Sequence, residues 1–458
     1  MTLESNIPWS ITAEEKALAR HCLDLALQAG ASGARLTLMK SLMDLFQLRN
    51  GELEKVTHAG DRSISFYIIA EGRAGVFSTN KLEEADLKAF LQEAVATVRM
   101  LAPDPCAKLT APERIAHDAV TGLEMKLYDP AYADMTPDSR LALARRACAY
   151  GRVQAEGCRI ISEETEYSDS ISSLLILGTN GMEALHIESS FELGCEYTVE
   201  DAQGRKVSGF WWHSAPLLKD LDIDGVCPEA LRRAEAQLGA GSIPSGRYTM
   251  VVENDLAPRL LAPVLSALGG SALQQKNSFL TDSLGKALFP AHLTVWDQPL
   301  APGCSGARLF DSEGAAAANR PIIEKGVVKN YFLSEYYAGK MGMSPTATDS
   351  LRACVSPCWT FGEMPGQITR DDILRACGKG IYVTGFNGGN CNTVTGDFSY
   401  GIEGFAFQDG RMEPVHGMVA TGNILRLWNN LVAAGTDARP CRSRMVPTLA
   451  FKDIDFSA

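Results

Sequence analysis

The apolar residues of this chain change period repeatedly, and that switching limits it to a fold that mixes helices with strands. Leu18, Cys22, Leu25 and Ala29 recur at helical spacing behind Thr12 and the acidic pair Glu14-Glu15, and Gly30 ends the run. Over 34–48 the period drops to two, with Leu36, Leu38, Phe46 and Leu48 on one face, and Asn50-Gly51 supplies a hairpin turn. Residues 62–77 read as two strands joined at Glu71-Gly72-Arg73, and 82–101 returns to helical spacing with an acidic first turn. A helix over 136–156 then leads to strands at 158–162, 171–177, 181–196 and 204–214, and to a helix over 227–238. Strand pairs followed by helices, rather than a repeated βαβ unit, predict an α+β fold with largely antiparallel sheets.

A chain of 458 residues exceeds what one ordinary core supports, so two mixed domains are expected. The loop-like stretch Gly239-Ala-Gly-Ser-Ile-Pro-Ser-Gly246 sets the boundary, giving domains 1–242 and 243–458. Beyond it come a strand over 247–252, an apolar helix over 255–268 that Pro263 should kink or begin, and a strand near Leu293. A hairpin at Glu324-Lys-Gly326, a β-rich segment over 381–407, a helix over 424–432 and a strand near Leu449 complete the reading.

The formal net charge of -12, with short and interrupted cationic clusters, argues against direct nucleic-acid binding, because each phosphate contact needs a cation. The first residues carry no basic and apolar leader, and no apolar run reaches the roughly 20 residues that span a bilayer. A cytoplasmic protein without membrane contact is expected. The 12 cysteines are dispersed, with only Cys354 and Cys358 close together, which predicts reduced thiols rather than a disulfide framework.

Zinc hydrolases need ligands preset by secondary structure, typically two His one turn apart on a helix. Here the seven His lie at 21, 58, 117, 186, 213, 292 and 416, the closest pair 27 positions apart (186 to 213). The apolar helix near 260 contains no His, Cys or Glu. Cys354 and Cys358 are spaced one residue wider than a redox or zinc-knuckle pair, and Ser283-Leu-Gly-Lys286 lacks the partner motifs of serine acylases. Neither a nucleophile elbow nor a phosphate-binding loop occurs. The most unusual passage runs from Gly385 to Gly401, with five glycines and three asparagines in 17 residues. Such a bare backbone builds tight turns, or else a groove that accepts an extended peptide by strand addition.

That passage also carries a family resemblance. Asn392-Thr-Val-Thr-Gly-Asp-Phe-Ser-Tyr-Gly401, followed by Gly404-Phe, resembles the VTGDYSRGASGFW segment of TldE/PmbA proteins. Thr421-Gly422-Asn423 and Trp428-Asn429-Asn430 follow at matching distance. Residues 320–343 and Asn277-Ser-Phe-Leu-Thr-Asp-Ser-Leu-Gly285 extend it, with weaker matches at Arg62-Ser-Ile-Ser-Phe-Tyr, Gly72-Arg-Ala-Gly75 and Asp129-Pro130. The resemblance implies a TldD/PmbA-like fold in both domains. In the catalytic branch, TldD, zinc is held by two His of a His-Glu-x-x-x-His helix and a later Cys. The corresponding positions here fall on the helix near 260–268 and close to Ile402, and Cys391 lies in a different register.

The resemblance therefore implies a TldE-like subunit, with no zinc or other cofactor of its own, whose TldD-like partner carries the zinc of a peptidase acting on unstructured peptides and small proteins. Arg320, Asn392, Asp397 and Ser399 are the candidate substrate-binding residues, and no catalytic or metal residue is assigned. The family's label as a modulator of DNA gyrase, set against the acidic charge, implies an indirect effect. Two other readings stay open: a stand-alone hydrolase with Cys391 or Ser399 as nucleophile and His416 or His186 as base, and a non-enzymatic homodimer that binds peptides.

Overall fold

The computed structural model describes residues 7–149 and 155–458. Its first half contains α1 (Ala13–Gln28), β1 (Gly33–Arg49), β2 (Glu52–Ala70), β3 (Arg73–Thr79), α2 (Glu84–Met100), α3 (Pro137–Ala147), β4 (Arg159–Gly178), β5 (Glu183–Glu200), β6 (Lys206–Ala215) and α4 (Val226–Ala236). The six strands form one antiparallel sheet in the order β3-β2-β1-β4-β5-β6. Its inward residues pack with the apolar faces of the helices into a core that includes Leu36, Phe66, Leu87, Tyr167 and Phe191. The start of α1 is a capping box: Thr12 accepts from the Glu15 amide and the Glu15 carboxylate from the Thr12 amide.

Two expectations are corrected here. The strands expected at 158–162 and 171–177 are one strand, β4, of 20 residues. Its inward positions include Glu163, Thr165 and Asp169, whose polarity hides the period-two signal although all three are buried. The helix expected over 136–156 ends at Ala147, where Cys148 takes ψ 118° and the buried Cys148 and Ala149 turn into the core. Its expected portion at 150–154 lies outside the described residues.

The second half contains β7 (Gly246–Val252), α5 (Pro258–Ala267), α6 (Gly270–Gln274), β8 (Val295–Asp297), β9 (Arg320–Glu324), β10 (Val327–Val328), α7 (Glu335–Met341), β11 (Ala353–Val355), β12 (Cys358–Trp359), α8 (Arg370–Cys377) and β13 (Lys379–Phe386). There follow β14 (Asn390–Cys391), β15 (Asp397–Gln408), β16 (Arg411–Asn423), α9 (Ile424–Asn429), β17 (Leu431–Ala434) and β18 (Leu449–Ser457). A four-stranded sheet runs β10-β9-β8-β11. In the larger sheet β13, β15, β16 and β18 pair in turn, and β7 pairs with both β18 and β13, closing a five-stranded ring. The β7–β13 contact is parallel and the others in the ring are antiparallel. Helix α5 runs through Pro263 instead of starting there, and the helix expected over 424–432 stops at Asn429, where β17 takes over. No helix among the described residues is long and apolar enough to cross a membrane, and the twelve cysteines are unpaired.

The halves meet along a seam of stacked cations and indoles. Arg439 lies over Trp211 and Trp212 and donates to Asp255, while Arg442 lies over Trp212 and donates to Asp255 at 2.8 Å. A second tie joins residues 101–112 to α7: Asp104 accepts from Lys340 at 2.8 Å, from the Tyr336 hydroxyl and from the Cys106 amide. The Lys340 contact is the first cause holding the Asp104 carboxyl below the usual carboxylate range, and the same contact raises the Lys340 ammonium. A depressed acid stabilises the fold above its unfolded value, about 3.9, and a raised base does so below its own, about 10.4. The tie is therefore expected to persist across the neutral range and to weaken at both extremes. Asp104→Asn should lower the melting temperature at pH 7 and lose its effect near pH 2, as read by thermal unfolding.

Candidate functional site

The Gly-rich passage folds as the end of β13, the short strand β14, a turn and the start of β15. Asn390 pairs with Ser399 and Cys391 with Phe398. Asn392 spends its side chain inside the turn, where Oδ1 accepts from the Val394 amide at 2.9 Å. Asp397 accepts from Thr395 Oγ1 at 2.8 Å and from Asn423 Nδ2 at 3.0 Å, Asn423 being the first cause that keeps its carboxyl low. Ser399 is exposed and sits opposite Thr421 of β16. Asn392, Asp397 and Ser399 thus share one exposed hairpin. Arg320 does not join them: it opens β9 in the other sheet, opposite Asp297, where its Nε donates to the Ala318 carbonyl.

The glycines of this passage serve the chain itself. A Cβ on Gly389 would lie 1.9 Å from the Ser399 carbonyl oxygen, and one on Gly404 would lie 2.0 Å from that of Tyr382. Both spaces are filled by the neighbouring strand of the same chain, so at these two positions the bare backbone is already engaged.

Helix α5 turns Leu260, Leu261, Val264 and Leu265 into the core, and Ile402 on β15 is 2% exposed in the same cluster. Sequence reasoning overlooked Arg259, the one charged side chain of α5. Its guanidinium stands 5.4 Å from the Phe386 ring and 6.0 Å from that of Tyr400, and it donates to the Phe386 carbonyl at 3.1 Å. Phe386, Tyr400 and Phe398 form a continuous aromatic ledge beneath it, with centroid spacings of 4.8 and 5.4 Å. The lone cation in an otherwise apolar helix was the available signal.

Cys391 and Ser399 have no histidine among their hydrogen-bond partners. His416 lies five positions along β16 from the residue facing Ser399, about 16 Å away at the usual rise per residue. His186 is buried on β5 in the other half and contacts Glu188 at 3.2 Å. Burial raises the Cys391 thiol, and the Asp397 charge raises it further, which disfavours the thiolate a nucleophile needs.

Residues 245–458 match the PmbA/TldA metallopeptidase C-terminal domain, 40–98 the same family's domain 1 and 130–238 its central domain. A Bacteroides thetaiotaomicron protein of known structure, described as a proposed modulator of DNA gyrase, is 37% identical and superposes with a TM-score of 0.91, covering 98% of this chain and 100% of that one. The chain belongs to the PmbA/TldD metallopeptidase family. The metalloprotease PmbA of Escherichia coli O157:H7 is 27% identical over 435 residues, 93% of each chain. TldE from Thermococcus kodakarensis, at 14% identity, shares the fold with a TM-score of 0.82 over 96% of this chain and all of that one. The two N-terminal family segments share the single six-stranded sheet. At the positions where the resemblance sets the catalytic branch's zinc, the α5 core face and Ile402 present only aliphatic side chains, and zinc requires nitrogen, oxygen or sulfur ligands.

Proposed function

We propose that this chain is the TldE-type, non-catalytic subunit of a cytoplasmic TldD/TldE metallopeptidase that cuts unstructured peptides and small proteins, with the catalytic zinc in a TldD-like partner. The observation that carries this reading is the donor-free face of α5 against β15, at the place where the catalytic branch holds its metal. In this reading the chain's two units divide near residue 243, and the hairpin bearing Asn392, Asp397 and Ser399 lines the path of an extended substrate. Arg259 on its aromatic ledge supplies a fixed positive charge beside that path. Arg320 stays a substrate contact only if the path also reaches the β8–β9 sheet.

Co-expression with a TldD-like protein tests this. The expected result is a stable complex that cleaves an unstructured peptide, while this chain alone does not. Cleavage by the isolated chain, lost on Ser399→Ala or Cys391→Ala, would instead establish the stand-alone hydrolase. Peptide binding by the isolated chain with no complex formed would establish the homodimeric binder.

A further inference from the structure

On the inner face of the N-terminal sheet, far in sequence from the C-terminal site, three ligand-bearing side chains converge. Glu163 and Thr165 are inward neighbours on β4, Cys195 and Tyr197 on β5, and the β4–β5 register sets Thr165 opposite Cys195. Helix α4 crosses over them closely because Gly209 on β6 has no side chain: a Cβ there would lie 2.1 Å from the Ala234 amide nitrogen. That approach brings Cys227, in the first turn of α4, down onto the strands. One ligand atom each from Glu163, Cys195 and Cys227 lies within 4.8 Å of the other two. Thr165 Oγ1 sits among them, 2.7 Å from Glu163 Oε1, 3.7 Å from Cys195 Sγ and 3.5 Å from Cys227 Sγ.

The state of Glu163 makes this more than a pair of core thiols. Its side chain is fully buried and, among the described residues, accepts from two neutral hydroxyls, Thr165 and Tyr197, the latter at 3.0 Å. No Lys, Arg or His pairs with it among the described residues. Carboxylates are rarely taken out of water without a counter-charge or a metal. Cysteine sulfur and carboxylate oxygen are both ligand types that zinc takes. With metal–ligand bonds of about 2.0–2.3 Å, tetrahedral ligand atoms stand about 3.3–3.8 Å apart, below the 4.8 Å within which these three lie.

We propose that Glu163, Cys195 and Cys227 form a structural site for one zinc-class divalent cation that pins α4 to β4 and β5. Thr165 Oγ1 or a water molecule completes four-coordination. On binding, each thiol forms a sulfur–metal bond and releases its proton to solvent, and no electron changes hands. The site is sealed from substrate, so its role is to hold the fold. It does not depend on the function proposed above.

The test uses the full chain, stripped with chelator under reducing conditions and titrated with Zn²⁺ and, separately, Co²⁺. The expected result is uptake of about one metal ion per chain, a thiolate-to-cobalt absorption band and a higher melting temperature with zinc. Cys195→Ser and Glu163→Gln should each weaken binding at least about tenfold with unchanged circular dichroism, whereas Cys354→Ser should have no effect. Cys227 in the first turn of α4 and Cys195 on β5 are both buried, so circular dichroism and melting are read for every variant. Absence of the cobalt–thiolate band in the unmutated chain would overturn the proposal. So would zinc uptake that survives the Cys195→Ser/Cys227→Ser pair, or oxidation to a Cys195–Cys227 disulfide with no metal uptake. Location separates this from the functional reading: zinc lost with Cys195 leaves the non-catalytic role standing, whereas zinc held near α5 and Ile402 would end it.

Discussion

Replacing Trp428 with alanine should lower stability by about 3–5 kcal/mol, the range for removing a large buried aromatic. Trp428 is 1% exposed, meets Phe451 of β18 edge-on at 5.7 Å and donates its indole N–H to the Leu260 carbonyl at 3.2 Å. It therefore joins α9, the ring of strands and α5. The missing N–H at Pro263 leaves the Arg259 carbonyl of α5 without its usual helical donor, and the indole bonds the next carbonyl along, that of Leu260. A melting-temperature drop on the order of 10 °C is expected for a unit of this size. Trp428→Phe, which keeps an aromatic ring and removes the indole donor, should cost only about 1–3 kcal/mol. Equal losses in the two variants would show that the hydrogen bond, not the packing, holds α5.

Asp169→Ala should be nearly as damaging, by a different route. Asp169 is 1% exposed and accepts from Arg140 Nε at 2.7 Å, Arg140 Nη2 at 2.9 Å and the Tyr167 hydroxyl at 2.9 Å. Arg140 itself is 6% exposed. Removing the carboxylate strands a guanidinium in the core, for which the expected cost is about 3 kcal/mol or more. Asp44, 3.3 Å from Arg140, retains part of the compensation and keeps the effect at the lower end. The paired change Arg140→Met/Asp169→Leu removes both charges and should recover most of the loss. Denaturant unfolding of the single and double variants checks this, and a double variant as unstable as Asp169→Ala would refute the charge-burial account.

Both residues show what could be read beforehand. Trp428 stands in a quoted motif, but nothing in Trp-Asn-Asn says that its indole reaches a carbonyl 168 positions earlier. Asp169 lies in a polar stretch that broke the expected strand in two, because a buried acid with a distant arginine partner looks the same in sequence as a solvated one. In the candidate site, Asn392, Asp397 and Ser399 were found together because they are neighbours along the chain. Arg320 was placed with them on resemblance alone and lies in another sheet. Arg259 escaped notice because its significance comes from rings 127 and 141 positions away (386 − 259 and 400 − 259).

By itself the sequence determined whatever depends on near neighbours. That covers the α+β class, the capping box at Thr12, the turn at Asn50-Gly51 and the lack of any metal ligand on the helix near 260, since period, cap chemistry and side-chain identity are local properties. Only the tertiary structure decided that β7 closes a ring with β13 and β18, that the seam rests on Arg439 and Arg442 against two indoles, and that Glu163, Cys195 and Cys227 meet. Those outcomes follow from strand register and helix approach. One missing Cβ, at Gly209, lets α4 close on the sheet, and no local pattern records which distant atoms will then touch.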